Sequence, residues 1–211
     1  MASTYVFLHG LGQFEESWKE TAAALFPPGH AAPVYIPNLP SLLAGRETSY
    51  PALYAALEEQ LNHLEGKLTL CGLSLGAVLA LDYASRHPQK AEKLVLIGGQ
   101  YKMPKALLTV QNLVFRLMPR AAFASTGLTK PQIISLCRTM APLNFTQALP
   151  QIACPALVLC GERDRANRKA AETMAAALPK ARINIVPNAG HEVNKDCPKE
   201  LAALLQEFFD E

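Results

Sequence analysis

The apolar residues of this chain fall into short runs separated by longer stretches of helical spacing, and the two alternate from one end to the other. TYVFL (4–8), PVYIP (33–37), LTLCG (68–72), KLVLIG (93–98), PALVLCG (155–161) and INIVP (183–187) are strand-sized, and most are rich in Val, Leu or Ile and end at Gly or Pro. Their apolarity is nearly continuous, the pattern of a parallel strand covered on both faces. Between them, residues 51–65 carry Leu53, Leu57, Leu61 and Leu64 on one stripe, with Pro51 suited to a first turn and Gly66 to a stop. Residues 75–87 read as a buried helix ended by Pro88, and 166–178 as a helix ended by Pro179. A last helix, 198–210, opens at Pro198 and turns Leu201, Leu204, Leu205 and Phe208 inward. Such alternation predicts an α/β fold: a mostly parallel six-stranded sheet flanked by helices on both faces.

One stretch breaks the rhythm. Between Gly99 and Pro150 no strand is expected, only two or three helical segments interrupted by Pro104, Pro119, Pro131 and Pro142. The stretch is too long for an ordinary connection. It reads as a helical lid, residues 99–150, inserted into a core made of 1–98 and 151–211.

Length and composition then bound the possibilities. The 211 residues fit one domain with a core large enough to need no disulfide or metal staple. With 50% hydrophobic and 18% charged residues the chain is not disordered, and a net charge of +2 gives no reason to expect nucleic-acid binding. No apolar run reaches the length of a membrane span. The opening MASTYVFLHG lacks a basic region and a long apolar region, so no signal peptide is expected. The five cysteines, Cys71, Cys137, Cys154, Cys160 and Cys197, are odd in number and form no C-x-x-C pair, which argues against a disulfide framework or zinc site and fits a cytoplasmic setting. Cys71 and Cys160 lie in strand-like runs and read as buried thiols.

Charge changes the picture in the insertion. Lys102, Lys105, Arg116, Arg120, Lys130 and Arg138 lie there with no Asp or Glu, so the remainder of the chain carries −4. A one-sign patch near a site would steer an anionic ligand, such as a carrier-linked acyl group; an ordinary solvated face is the alternative. Leu107, Leu108, Leu113, Val114, Phe115, Leu117, Met118 and Phe123 make the same stretch apolar enough to line an acyl pocket.

The chemistry concentrates at strand ends. Gly72-Leu73-Ser74-Leu75-Gly76 stands where a strand meets a helix, and a serine on so sharp a turn needs small neighbours two residues either side, which Gly72 and Gly76 supply. A serine hydroxyl is a poor nucleophile without a base. Of five histidines, His191 follows the INIVP strand in Asn188-Ala189-Gly190-His191, on the same sheet edge as Ser74; His30 and His63 read as solvated and His87 as a helix cap. An acid that orients the imidazole should follow an intervening strand. Asp164 does, in Gly161-Glu162-Arg163-Asp164, with Glu162 as the local competitor; the preceding strand ends Gly98-Gly99-Gln100 and offers no acid. Developing negative charge needs amide donors, expected from Leu75 and from Leu11 in the loop His9-Gly10-Leu11-Gly12, with His9 bracing that loop.

Taken in order, HGLG, GLSLG, GERD and NAGH resemble the α/β-hydrolase superfamily over essentially the whole chain outside 99–150. The resemblance implies a cofactor-free enzyme that cleaves a small-molecule ester, thioester or amide. It departs from the family in opening directly on the HG-bearing strand, so the fold is expected to lack the first two strands. A serine hydrolase acting through an acyl-enzyme is the leading expectation. A C–C bond hydrolase or lyase with the same triad, and a ligand-binding protein on a hydrolase scaffold, are the alternatives.

Overall fold

The structure is a computed structural model and describes residues 3–27, 29, 32–103 and 117–211. Six strands, β1 (Thr4–Leu8), β2 (Val34–Tyr35), β3 (Leu68–Leu73), β4 (Ala91–Ile97), β5 (Ala156–Gly161) and β6 (Ala181–Val186), form one sheet in the order β2-β1-β3-β4-β5-β6. Every pairing is parallel. The expected strands are all present, and β2 is the shortened one: only Val34 and Tyr35 of the 33–37 run join the ladder.

The continuous apolar runs have the expected cause. Alternate strand residues point to opposite faces. Val6, Leu8, Leu70, Leu94, Leu96 and Val158 enter one core, and Phe7, Cys71, Leu73, Val95, Ile97 and Leu157 enter the other. The first core is covered by α2 (Tyr50–His63) and α3 (Leu75–Arg86), the second by α1 (Lys19–Leu25) and, further along the chain, the helix Pro198–Phe209. Along that last helix Leu201, Leu205 and Phe208 are buried, each such side chain stabilising the fold by about 1.5–3 kcal/mol. The periodicity argument assigns nothing between β1 and β2, because α1 has seven residues, too few to display a period. Cys71 and Cys160 are fully buried and all five thiols are free. Among the described residues no helix is long and apolar enough to cross a membrane.

Topology explains where a site can form. The helix after β1 packs on one face of the sheet and the helix after β3 on the other, while β1 and β3 are neighbours. Connections leaving the carboxyl ends of these two strands therefore diverge and open a crevice, where ligands of open parallel sheets bind.

Between β4 and β5 the described residues add no strand to the sheet. They hold a 3-10 segment, Arg120–Thr126, then α4 (Lys130–Met140), and an isolated antiparallel bridge between Lys102 and Asn144. Pro131 does not interrupt a helix here; it sits in the first turn of α4, where its missing N–H costs nothing, and the Thr129 N–H donates to Gln132 Oε1 at 2.8 Å. Ile133, Leu136, Cys137 and Met140 of α4 are buried in the first core. Pro104, Lys105, Leu107, Leu108, Leu113, Val114, Phe115 and Arg116, together with His30, lie outside the described residues.

Candidate active site

Ser74 follows β3 and caps α3 with φ 54° and ψ −112°, a conformation that costs a non-glycine residue about 1–3 kcal/mol. The surrounding structure imposes it. The Ser74 N–H donates to the Ile97 carbonyl at 2.8 Å, extending the sheet ladder, and its own carbonyl accepts from Val78 N–H at 3.1 Å, starting the helix. A side chain on Gly72 would strike the Gly76 backbone, and one on Gly76 would strike the Leu8 carbonyl, so both positions exclude a Cβ. Gly10 crosses close above: a Cβ there would stand 3.5 Å from the Ser74 Cβ.

His191 and Asp164 meet. His191 Nδ1 and Asp164 Oδ2 are 2.8 Å apart, and since an ionised carboxylate only accepts, Nδ1 carries the proton and Nε2 is left as the basic nitrogen. The Asp164 side chain is 5% exposed and that of His191 42%. The Asp164 hydrogen bond raises the imidazole above its ordinary value, against the opposing effect of burial. Burial pushes the Asp164 carboxyl up, but hydrogen bonds from His191 and Asn167 outweigh it and hold the acid below its ordinary value.

Glu162, the sequence competitor, is used elsewhere. Its N–H still bonds the Val186 carbonyl at 2.9 Å, at the end of the ladder, and its Oε2 accepts from Asn188 N–H at 3.0 Å. The chain must then turn, Asp164 N–H donating to the Gly161 carbonyl at 3.0 Å, before an acid reaches the imidazole.

The loop after β1 is held by its own carbonyl. The Gly10 oxygen accepts from Gln13 N–H at 3.1 Å and from His9 Nδ1 at 2.9 Å. In a trans peptide the carbonyl and the following N–H point in opposite directions, so pinning the Gly10 oxygen aims the Leu11 N–H the other way. His9 is 1% exposed, and its Nε2 accepts from Leu39 N–H at 3.1 Å, which places its proton on Nδ1. Burial lowers its basicity, and both ring nitrogens meet backbone groups. Leu75 N–H heads α3, where helix geometry leaves it without an intrahelical acceptor. Neither the Leu11 nor the Leu75 amide donates to an acceptor among the described residues.

A cavity of about 480 Å³ joins these groups. Leu11, Gly12, Ser74, Leu75 and His191 line it, and Val78, Met103, Met118, Phe123, Ile133 and Met140 give it an apolar wall. No Lys, Arg, Asp or Glu is among the described lining residues. Ser74 and His191 both line the cavity, with no hydrogen bond between their side chains.

The remaining described histidines lie elsewhere. His87 Nε2 meets Glu58 Oε1 at 2.7 Å and its ring stacks on Tyr83, while His63 Nδ1 contacts the Glu59 carbonyl at 2.6 Å. Among the described residues no three His, Cys, Asp or Glu side chains are grouped to hold a metal ion.

Several residues escape the sequence reading. Asn167, in the first turn of α5 (Arg165–Ala177), donates from Nδ2 to both Asp164 oxygens at 2.9 Å, and Gln100 Nε2 donates to Asn167 Oδ1 at 2.7 Å. The three-residue spacing from Asp164 to Asn167 at a helix start is the signal that could have found it. Gly98 has φ +56°, and a Cβ on it would stand 3.1 Å from the His191 ring and 3.3 Å from Asp164 Oδ2. The absence of an acid after β4 is thus accompanied by a need for no side chain at all.

Residues 5–204 match the alpha/beta hydrolase family. The pimeloyl-[acyl-carrier protein] methyl ester esterase of Aromatoleum aromaticum is 28% identical, the alignment covering 96% of both chains. The biotin biosynthesis bifunctional protein BioHC of Cellvibrio japonicus is 26% identical over 97% of this chain, which spans 47% of that longer protein. Among solved structures, NosK from Streptomyces actuosus superposes with a TM-score of 0.82 at 21% identity, covering 100% of this chain and 98% of its own. MenH from S. aureus gives 0.80 at 17% identity, covering 99% and 93%. These likenesses concern the fold, whereas the match over nearly the whole sequence decides membership: this chain belongs to the alpha/beta hydrolase family and is an enzyme of the hydrolase class.

Proposed function

We propose that the enzyme cleaves a carboxylic ester or thioester through an acyl-enzyme on Ser74. His191 Nε2 takes the Ser74 proton as Oγ attacks the acyl carbon, and the Leu11 and Leu75 amides hold the oxygen that becomes negative. The protonated imidazole then gives its proton to the departing alkoxide or thiolate. Water repeats the sequence, releasing the carboxylic acid and restoring the serine. Asp164 touches no reacting atom; it fixes the imidazole tautomer and stabilises the imidazolium. The observation that carries this reading is the 2.8 Å contact between Asp164 and His191, a residue that lines the same cavity as Ser74.

The cavity wall favours a neutral acyl tail of medium length, and Met103, Met118, Phe123, Ile133 and Met140, from the 99–150 segment we take as a lid, supply much of it. Of the described cations of that segment, Arg120, Lys130 and Arg138 line a separate depression of about 390 Å³. An anionic carrier holding the acyl group is the partner this charge would favour, and the Aromatoleum relative, by its name, acts on a carrier-linked ester.

A panel of p-nitrophenyl esters from acetyl to dodecanoyl tests the reading. Turnover should show a burst, and kcat/KM should peak between butanoyl and octanoyl, roughly tenfold or more above acetyl. A methyl ester borne on an acyl carrier protein should show a lower KM than the same ester free. A rate independent of chain length would contradict the acyl role of the cavity, and hydrolysis without a burst or trappable acyl group would contradict the covalent step.

A further inference from the structure

Gln13 and Asn194 lie off the lining of that cavity, at the floor of a separate depression of about 340 Å³, and both are 2% exposed and bonded face to face. Gln13 Nε2 donates to Asn194 Oδ1 and Asn194 Nδ2 donates back to Gln13 Oε1, each at 3.2 Å. The pair closes a gap of 181 residues in sequence. The Gln13 amide also reaches both segments that carry a reacting group. Gln13 Oε1 accepts from Gly10 N–H at 3.2 Å, on the residue before the Leu11 amide, and Gln13 Nε2 donates to Glu192 Oε1 at 2.8 Å, on the residue after His191. Asn194 Nδ2 adds a bond to the Ser17 carbonyl at 3.2 Å. Fixed by its side chain, Gln13 presents its own N–H to the Gly10 carbonyl, the contact that orients the Leu11 donor.

Two buried amides must find several partners to be tolerated. Gln13 finds its partners in the two loops whose separation decides whether the Leu11 donor can meet the acyl oxygen while the His191 ring meets the Ser74 hydroxyl, and Asn194 holds Gln13 in place. Resting on the proposed acyl-enzyme function, we infer that Gln13 and Asn194 are positioning residues for the reaction: a two-amide clamp that sets the distance between the oxyanion loop and the base loop. Misplacement by about an ångström can cost roughly a hundredfold in rate, so the clamp acts on kcat and leaves ground-state binding in the apolar cavity alone.

The test compares wild type with Gln13→Leu, Asn194→Leu and the double variant on p-nitrophenyl butyrate, with Ser74→Ala alongside. Each single variant should lose about tenfold to a hundredfold in kcat with KM within about threefold. Affinity for a butyl trifluoromethyl ketone, which mimics the tetrahedral adduct, should fall by the same factor as kcat/KM, and the double variant should lose no more than the worse single. Gln13→Glu serves if leucine prevents folding: it keeps the acceptor for Gly10 N–H, loses the donors and sets a carboxylate against Glu192, and the same kcat loss is expected. A folded variant with kcat within about twofold of wild type, or one whose loss lies in KM with the ketone affinity unchanged, overturns the clamp. Activity surviving in Ser74→Ala would instead overturn the acyl-enzyme reading, which separates the two failures.

Discussion

Ser74→Ala should leave a folded protein that no longer hydrolyses esters, with kcat/KM lower by about four to six orders of magnitude. The size follows from the division of labour we propose: without Oγ the base would have no proton to take, and only transition-state binding by the Leu11 and Leu75 amides would be left to assist water. Stability should hardly change. Serine and alanine pay similar strain at φ 54°, and the Ser74 side chain makes no hydrogen bond to a described residue that its loss would leave unsatisfied. The melting temperature should stay within about 2 °C of wild type, since a difference of 1 kcal/mol shifts a domain of this size by about 2–4 °C. Turnover within tenfold of wild type, measured on protein of verified mass, would place the nucleophile elsewhere.

Asp164→Asn carries the second large effect, and it has a signature in pH as well as in rate. The wild-type imidazole is raised above its ordinary value of about 6.5 by the Asp164 hydrogen bond, so kcat/KM should fall as pH drops through a value above that mark. Replacing the carboxylate removes the contribution that raises the imidazole and leaves the burial that lowers it. The acid limb of the residual activity should therefore move to lower pH. At the plateau kcat should be about 10⁴ lower, because an amide at 164 can stabilise the wrong tautomer. Its neighbour Asn167, which donates to both carboxylate oxygens, would then face a group that also donates. A limb at the wild-type pH, or a plateau within tenfold of wild type, would remove Asp164 from the mechanism.

Much of the architecture was readable because two kinds of information are local. A strand covered on both faces must be apolar at consecutive positions, so TYVFL, LTLCG and PALVLC announce β1, β3 and β5 without reference to anything distant. Ser74, Asp164 and His191 stand out for a related reason: each follows such a run, and parallel strands carry everything after their carboxyl ends to one edge. What the sequence did not disclose depends on pairings across the chain. Gln13 and Asn194 are ordinary amides until the fold brings them to 3.2 Å, and Gly98 is one turn glycine among many until the His191 ring is seen 3.1 Å from where its Cβ would be. Short elements fail for lack of length: α1, and the single turn Val193–Asp196, give no period to read. Pro131 misled because proline interrupts a helix interior but opens a first turn, and only the Thr129–Gln132 cap tells the two apart.

The proposal that one side chain accepts the acyl group can be put to a direct measurement with a fluorophosphonate, which adds to an activated hydroxyl. The enzyme should gain the mass of one phosphonyl group as esterase activity disappears, in equal proportion, and peptide mapping should find that mass on Ser74. Complete inactivation with the added mass on any other residue would contradict the account.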